Sequence, residues 1–319
     1  MKGSRWIRLG AVAALALGAW IDFAWRRDLA AAHRRISTGS AIAQTKCGPV
    51  EYAVRGEGFP VLVVHGAGGG FDQGLMLAQA LSGFHAIVPS RFGYLRTPLP
   101  QDASSEAQAD AHACLLDALG VDRAAVVGVS AGAPSAMQFC LRHAQRCSAL
   151  VLLVPLAWSD RSSVSRLTRA QQVLLDRTLG SDFLFWAGTR LFRGAMVESV
   201  LGTPLADVKG ASPEDQQRTY EMLDLILPVS RREQGLRNEM LVTQSLRRYE
   251  LEKIAAPALI ASVEDDGYRT YGPARYTAAH IPGAKFIGYP RGGHLWLGHD
   301  KELAAEVRKF LAQACCAGG

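Results

Sequence analysis

Gly128-Val129-Ser130-Ala131-Gly132 sets a serine between two residues that lack side chains, directly after the apolar run Ala124–Val129. This reads as a strand, a sharp turn at the serine, and a helix that begins near Ala131. A serine on such a turn is held in a strained backbone conformation that lifts its hydroxyl clear of the sheet, and glycines two residues away on each side keep the neighbouring chain from colliding. The pattern alone is weak, because glycine and serine are common residues, so its surroundings decide what it means.

Three further segments agree with it. Residues 61–64 form an unbroken apolar run that reads as a strand buried on both faces, and His65 leads from it into Gly66-Ala67-Gly68-Gly69-Gly70, a loop with unshielded backbone N–H groups. Residues 258–261 form another apolar strand that runs into Glu264-Asp265-Asp266-Gly267, and Lys285–Tyr289 leads to Gly292-Gly293-His294. A serine, an acidic cluster and a histidine therefore each stand just past the end of a strand, in that chain order. On these motifs residues 47–311 resemble an α/β-hydrolase. Arg91-Phe92-Gly93-Tyr94-Leu95-Arg96-Thr97 resembles the loop after that family's fourth strand.

The fold class expected is α/β: a mainly parallel, doubly wound α/β-hydrolase sheet with a helical cap insertion and an N-terminal transmembrane or signal-anchor helix. Strand signals recur at residues 50–54, 61–64, 86–89, 124–129, 149–154, 258–263 and 285–289, and helical patterns at 104–119, 131–143, 271–280 and 301–311, with Ser104 as an N-cap. Residues 158–249 break the rhythm with amphipathic helical patterns and no strand, which matches a cap. The domains expected are residues 1–30 as anchor or signal segment, 31–46 as a polar linker, 47–157 and 250–314 as the core, and 158–249 as the cap.

Ser130 is a poor nucleophile at neutral pH and needs a base within reach, for which histidine is suited. Of eight histidines, His294 has the right placement. His33 lies in the anchor region, His85, His112, His143 and His280 sit away from strand tips, His299 begins the last helix, and His65 suits a structural role in the glycine loop. The carboxylate that orients the imidazole is Glu264, Asp265 or Asp266. The family's acid commonly falls three residues after a small residue at the strand end, so the resemblance points through Ser262 to Asp265, with Asp266 as the alternative. Of the two oxyanion-hole donors, the N–H of Ala131 follows from its place after the nucleophile, and the resemblance supplies the N–H of Ala67.

No cofactor or metal is expected. Gly68, Gly69 and Gly70 lack the GK[ST] or GxGxxG context of a phosphate cradle, and the six cysteines show no metal-binding spacing. Free thiols packed as small hydrophobes are the simplest reading of those cysteines, with Cys140 and Cys147 the nearest candidates for a bridge. A net charge of +6 is no nucleic-acid footprint, because residues 1–35 carry seven basic against two acidic side chains and the remainder carries 28 against 27.

The basic residues belong to the N-terminal segment. Lys2, Arg5 and Arg8 precede an uncharged run of 13 residues, 9–21, and Arg26, Arg27, Arg34 and Arg35 follow it. The run alone suits a signal peptide, but no small-x-small site lies within a few residues of Ile21, and Ala41-Ile42-Ala43, which would fit, lies about 20 residues too far on. Counted from Trp6 to Trp25, a helix of about 30 Å can cross a bilayer with Trp6, Trp20 and Trp25 near its interfaces. An uncleaved anchor, a cleaved signal peptide and an amphipathic or buried N-terminal helix all remain open. Since the motifs begin after Cys47, the segment before residue 36 is expected to be dispensable for catalysis.

The expected function is a serine hydrolase that cleaves a small ester-like substrate with an apolar group, through Ser130, Asp265 and His294. The partners expected are that substrate and a lipid bilayer, with no nucleic acid. A carbon–carbon bond hydrolase or lactonase on the same triad is the alternative within enzymes, and a silent hydrolase-fold binding protein the alternative outside them. Ser130 argues against the epoxide-hydrolase and haloalkane-dehalogenase branches, which resemble this fold but carry Asp there. Phe183, Phe185, Trp186, Leu191 and Phe192 are expected either as the cap's own core or as an apolar wall of the cleft, with Trp158 and Trp296 near its mouth.

Overall fold

A computed structural model describes residues 2–158 and 177–316. Ala41–Thr45 (β1), Gly48–Arg55 (β2), Phe59–Val64 (β3), Phe84–Pro89 (β4), Ala124–Val129 (β5), Cys147–Leu153 (β6), Ala258–Val263 (β7) and Lys285–Tyr289 (β8) form one sheet. Its order is β1-β2-β4-β3-β5-β6-β7-β8. β1 pairs antiparallel with β2, and β2 with β4, while every other pair is parallel.

Every residue of β5, β6 and β7 is buried. Such strands need helices on both faces, and alternate residues point to opposite sides. Leu62, Ile87, Val126 and Leu150 face Ser105–Ala118 (α3) and Ala133–Arg142 (α4), packing with Leu116, Met137 and Phe139. Val61, Val63, Val127 and Val151 face Phe71–Ala78 (α2) and Asp300–Cys316 (α11), packing with Phe71, Val307 and Phe310. Tyr271–His280 (α10) joins β7 to β8, and Ser104 caps α3 by accepting from the Ala107 N–H at 3.2 Å.

Between β6 and β7 the described residues form Asp182–Leu191 (α5), Arg193–Leu201 (α6), Leu205–Gly210 (α7), Pro213–Leu225 (α8) and Glu233–Ser245 (α9), with no strand among them. They share a core of their own that includes Phe185, Trp186, Val197, Leu201 and Leu223. The cap expected over 158–249 includes residues 159–176, which lie outside those described.

The N-terminal segment corrects one expectation. Residues 31–46 are not a linker: Lys2–Ser37 is one helix (α1) of 36 residues, and β1 is an edge strand of the sheet. Residues 9–37 are long and apolar enough to cross a membrane, and their most apolar stretch is not buried against protein. The other half of α1 lies on the cap. Ala24, Ala32 and Ile36 are buried, and the Trp25 ring meets Phe183 and Trp186 at centroid distances of 5.5 and 5.6 Å. Asp28 accepts from Trp186 Nε1 at 3.0 Å and from Arg190 at 2.7 Å. Ile21, Ala24, Trp25, Asp28, Ala32 and Ile36 fall on one helical stripe. Its charges look like linker composition until their remote partners are seen.

The cysteines correct a second expectation. Cys140 and Cys147 are bridged, and Cys47 is bridged to Cys114, which ties the β1–β2 turn to α3 across 67 residues of sequence.

Candidate active site

β5 stops at Val129, and a short turn of Ser130–Gly132 leads into α4. Ser130 has φ of +50°, a left-handed conformation that costs a non-glycine residue about 1–3 kcal/mol and persists only where surrounding structure holds it. Gly128 and Gly132 provide that hold. A Cβ on Gly128 would stand 2.6 Å from Ala136 Cβ, and one on Gly132 would collide with the carbonyl oxygens of Val64 and His65. Both neighbours can therefore close on the turn only because these positions are bare.

His294 follows β8 in a loop and turns its imidazole to the serine. Ser130 Oγ lies 2.9 Å from His294 Nε2, and His294 Nδ1 lies 2.8 Å from Asp266 Oδ2. A carboxylate can only accept, so Nδ1 carries the proton and Nε2 is left to accept from the serine hydroxyl. Asp266 also accepts from the Tyr268 N–H at 2.8 Å and from the Thr270 hydroxyl, and its side chain is fully buried.

The acid expected at Asp265 is thus corrected: Asp266 meets the imidazole. Asp265 points to the loop before the histidine, accepting from the N–H groups of Gly293 at 2.8 Å and Gly292 at 3.3 Å. Partial burial raises its pKa above the ordinary carboxylate value, and neighbouring Asp207 adds to this against those two donors. Glu264, the third acid, is exposed.

The glycine loop lies beside the serine: a Cβ on Gly66 would stand 3.2 Å from Ser130 Cβ. Its peptide planes are fixed from behind. The Arg91 N–H donates to His65 Nε2 at 3.0 Å, so His65 is neutral with its proton on Nδ1, which donates to the Gly66 carbonyl at 2.7 Å. Burial pushes the pKa of His65 well below its ordinary value, and Arg91 lowers it further. Arg91 Nη2 donates to the same carbonyl at 3.2 Å. In a trans peptide the N–H points opposite to the C=O, so the Ala67 N–H is turned away from Arg91 and His65. The Ser130 carbonyl is held likewise by the Leu156 N–H at 2.9 Å, which sets the direction of the Ala131 N–H.

Several cap and helix residues that the sequence did not single out reach this centre. Glu239 of α9 pairs with buried Arg91. Gly202, at the end of α6, accepts from the N–H groups of Gly267 at 2.8 Å and His294 at 3.2 Å. Tyr268 packs edge-on against His294 at 4.8 Å and donates its hydroxyl to the Val200 carbonyl at 2.7 Å. Beneath the glycine loop, Arg232 donates to the Gly69 carbonyl and pairs with Asp72 at 2.7 Å, and Arg35 of α1 pairs with Asp72 from the other side at 3.2 Å. Burial alone would raise the Asp72 pKa, but the two guanidinium groups outweigh it and hold it below the usual range.

The aromatic residues divide. Phe185 and Trp186 are buried in the cap core, whereas Phe183, Leu191 and Phe192 are exposed. Trp158 packs edge-on against Tyr276, and Trp296 is buried with its Nε1–H donating to Asp300. Among the described residues no cluster of three or more His, Cys, Asp or Glu could hold a metal ion.

Residues 60–298 match the family model described as alpha/beta hydrolase fold. The protein named uncharacterized hydrolase YcgS of Bacillus subtilis (strain 168) is 26% identical over 274 residues, which is 83% of this chain and 94% of its own length. The 2-hydroxymuconate semialdehyde hydrolase of Pseudomonas putida is 31% identical over 148 residues, 41% of this chain and 53% of its own. A solved alpha/beta hydrolase fold protein from Nakamurella multipartita superposes with a TM-score of 0.69 at 29% identity, over 88% of this chain and 100% of its own.

Proposed function

The chain belongs to the alpha/beta hydrolase fold family, and from that membership we propose that it is a serine hydrolase that cleaves a carboxylic ester through an acyl-enzyme. The observation that carries this reading is the continuous hydrogen-bonded chain from Ser130 Oγ through the His294 ring to the buried Asp266 carboxylate. As Ser130 attacks the ester carbonyl, its proton passes to His294 Nε2, and Asp266 holds the ring and offsets its positive charge. The carbonyl oxygen becomes an oxyanion that accepts from the N–H groups of Ala67 and Ala131, whose planes are fixed before substrate arrives. His294 then protonates the leaving alkoxide. Water attacks the acyl group by the same route in reverse and frees Ser130.

A fluorophosphonate probe tests the nucleophile directly. Wild-type protein should be labelled at Ser130, and Ser130→Ala should lose the label and about 10⁴-fold or more in turnover while keeping its fold, since only a hydroxyl is removed. A folded Ser130→Ala protein with wild-type turnover would refute the mechanism. The likeness to a 2-hydroxymuconate semialdehyde hydrolase favours a second reading, carbon–carbon bond cleavage on the same three residues. A panel of aryl esters, lactones and dienoates separates the two.

We further read α1 as an uncleaved membrane anchor with the catalytic domain outside the cytoplasm. Lys2, Arg5 and Arg8 precede the apolar stretch, a charge placement that favours a cytoplasmic N-terminus. The Cys47–Cys114 and Cys140–Cys147 bridges suit an oxidising compartment. Cleavage after Ala43 would cut β1 and remove Arg35 from Asp72, which argues for retention of the segment. Fractionation and protease protection of the full chain test anchor and orientation separately.

A further inference from the structure

Helix α5 is apolar around nearly its whole circumference. Phe185, Trp186 and Thr189 are buried, but Phe183, Leu184, Leu191 and the following Phe192 are 43, 46, 73 and 65% exposed. A helix apolar on all sides is ordinarily surrounded by apolar material, and here one side lacks it. Trp25 of α1 packs on Phe183, and Trp20 and Phe23, within the turn and a half before it and on other faces of α1, are 66 and 65% exposed. The ring, ion-pair and hydrogen-bond contacts of α5 from Phe183 to Arg190 span about 10 Å of helix and meet Trp25 and Asp28 of α1, about 4.5 Å of its axis. α5 therefore lies across α1, and its uncovered residues share one level, where the apolar stretch of α1 ends.

We propose that this uncovered face of α5 is seated in the head-group and upper acyl region of the bilayer that α1 crosses, so that the cap rests on the membrane. The inference depends on the anchor reading given above. Lipid is the occupant because the face continues the apolar surface of the span at the depth where aromatic and aliphatic side chains of interfacial helices settle. Arg26 and Arg27, 75 and 64% exposed, follow Trp25 at the same level, paired along the helix with Asp22 at 2.7 Å and Asp28 at 2.9 Å, as charges at the end of a span are in the polar head-group layer.

The test uses the full chain reconstituted in vesicles of phosphatidylethanolamine and phosphatidylglycerol that contain phosphatidylcholine with a photoactivatable diazirine on its acyl chain. Photolysis and peptide mapping should find lipid adducts on residues 9–23 of α1 and also on α5 and Phe192. The triple variant Leu184→Ser, Leu191→Ser, Phe192→Ser should lose most of the α5 adducts, keep those on α1, and turn over a water-soluble aryl ester at the wild-type rate. Adducts confined to α1 would overturn the docking of the cap and leave the anchor standing. Adducts on neither helix would overturn both. An unlabelled α5 that cross-links to α5 of another copy would replace the bilayer by a dimer.

Discussion

Asp265 and Asp266 stand side by side after β7 and do different things. Asp266 orients the His294 ring, and Asp265 braces the backbone just before it. Asp266→Asn should therefore leave the imidazole in the wrong tautomer and lower kcat by about 10⁴-fold, whereas Asp265→Asn keeps one oxygen, for the shorter bond from the Gly293 N–H, and should cost far less. Steady-state kinetics on both variants with one aryl ester checks this, and the reverse ranking would return the role to Asp265. The serine and the histidine were legible in the sequence because glycines mark the turns that carry them. The acid was not, because three acids follow one another and the turn decides which faces inward. Asp266 is carried into the interior as its N–H turns back toward the Val263 carbonyl, while Glu264 is left in solvent. Arg91 and His65 were visible only as parts of two loops, since most of their partners are main-chain groups and Glu239, which pairs with Arg91, lies far along the chain.

Among the elements, the central strands announce themselves because a strand covered on both faces must be apolar along most of its length, as β5 is throughout and β6 is beyond Ser148. β1 and the second half of α1 do not. Each is stabilised by a remote partner: β1 by its ladder to β2, and α1 by the cap and Asp72. The Cys47–Cys114 bridge was hidden for the same reason. The expectation that the N-terminal segment is dispensable for catalysis consequently divides in two. A chain that begins at Trp20 retains the stripe of α1, from Ile21 onward, that packs on the cap. One that begins at Thr38 loses the burial of Ala24, Ala32, Ile36 and most of Trp25, on the order of 6 kcal/mol at about 25 cal/mol per Å², and strips Arg35 from Asp72. Urea unfolding should show a lower midpoint for the shorter chain only. Asp72→Ala in the full chain should itself cost about 3–5 kcal/mol, because Arg232 is left buried without a counter-charge.

For the molecule as a whole, two buried neutral histidines set the response to acid. Burial pushes His65 well below its ordinary pKa and His112 down to about 3, with Arg91 adding to both. In the unfolded chain both titrate near about 6.5. Below that value the unfolded state binds protons that the folded state refuses. Their contribution is therefore complete above about pH 6.5 and is lost as pH falls toward the folded values, by up to about 1.4 kcal/mol per pH unit for each. Denaturant midpoints at pH 7.5, 6 and 5 should fall in that order, and His112→Gln should flatten the trend. A different property of the whole follows from the continuity of α1. No glycine or proline interrupts it between Ala19 and Thr38, and its last turns are fastened to the cap and to Asp72. A flexible tether would let the domain swing through a hemisphere; this helix acts as a mast. With residues 9–23 in a bilayer, the height of Ser130 above the lipid is a constant of the molecule, and the tilt of the helix sets the direction in which the serine faces. Collisions with a lipid-dissolved substrate are then governed by lateral diffusion and by molecules per unit area, so turnover should follow the substrate's mole fraction in the membrane rather than its concentration in the surrounding water.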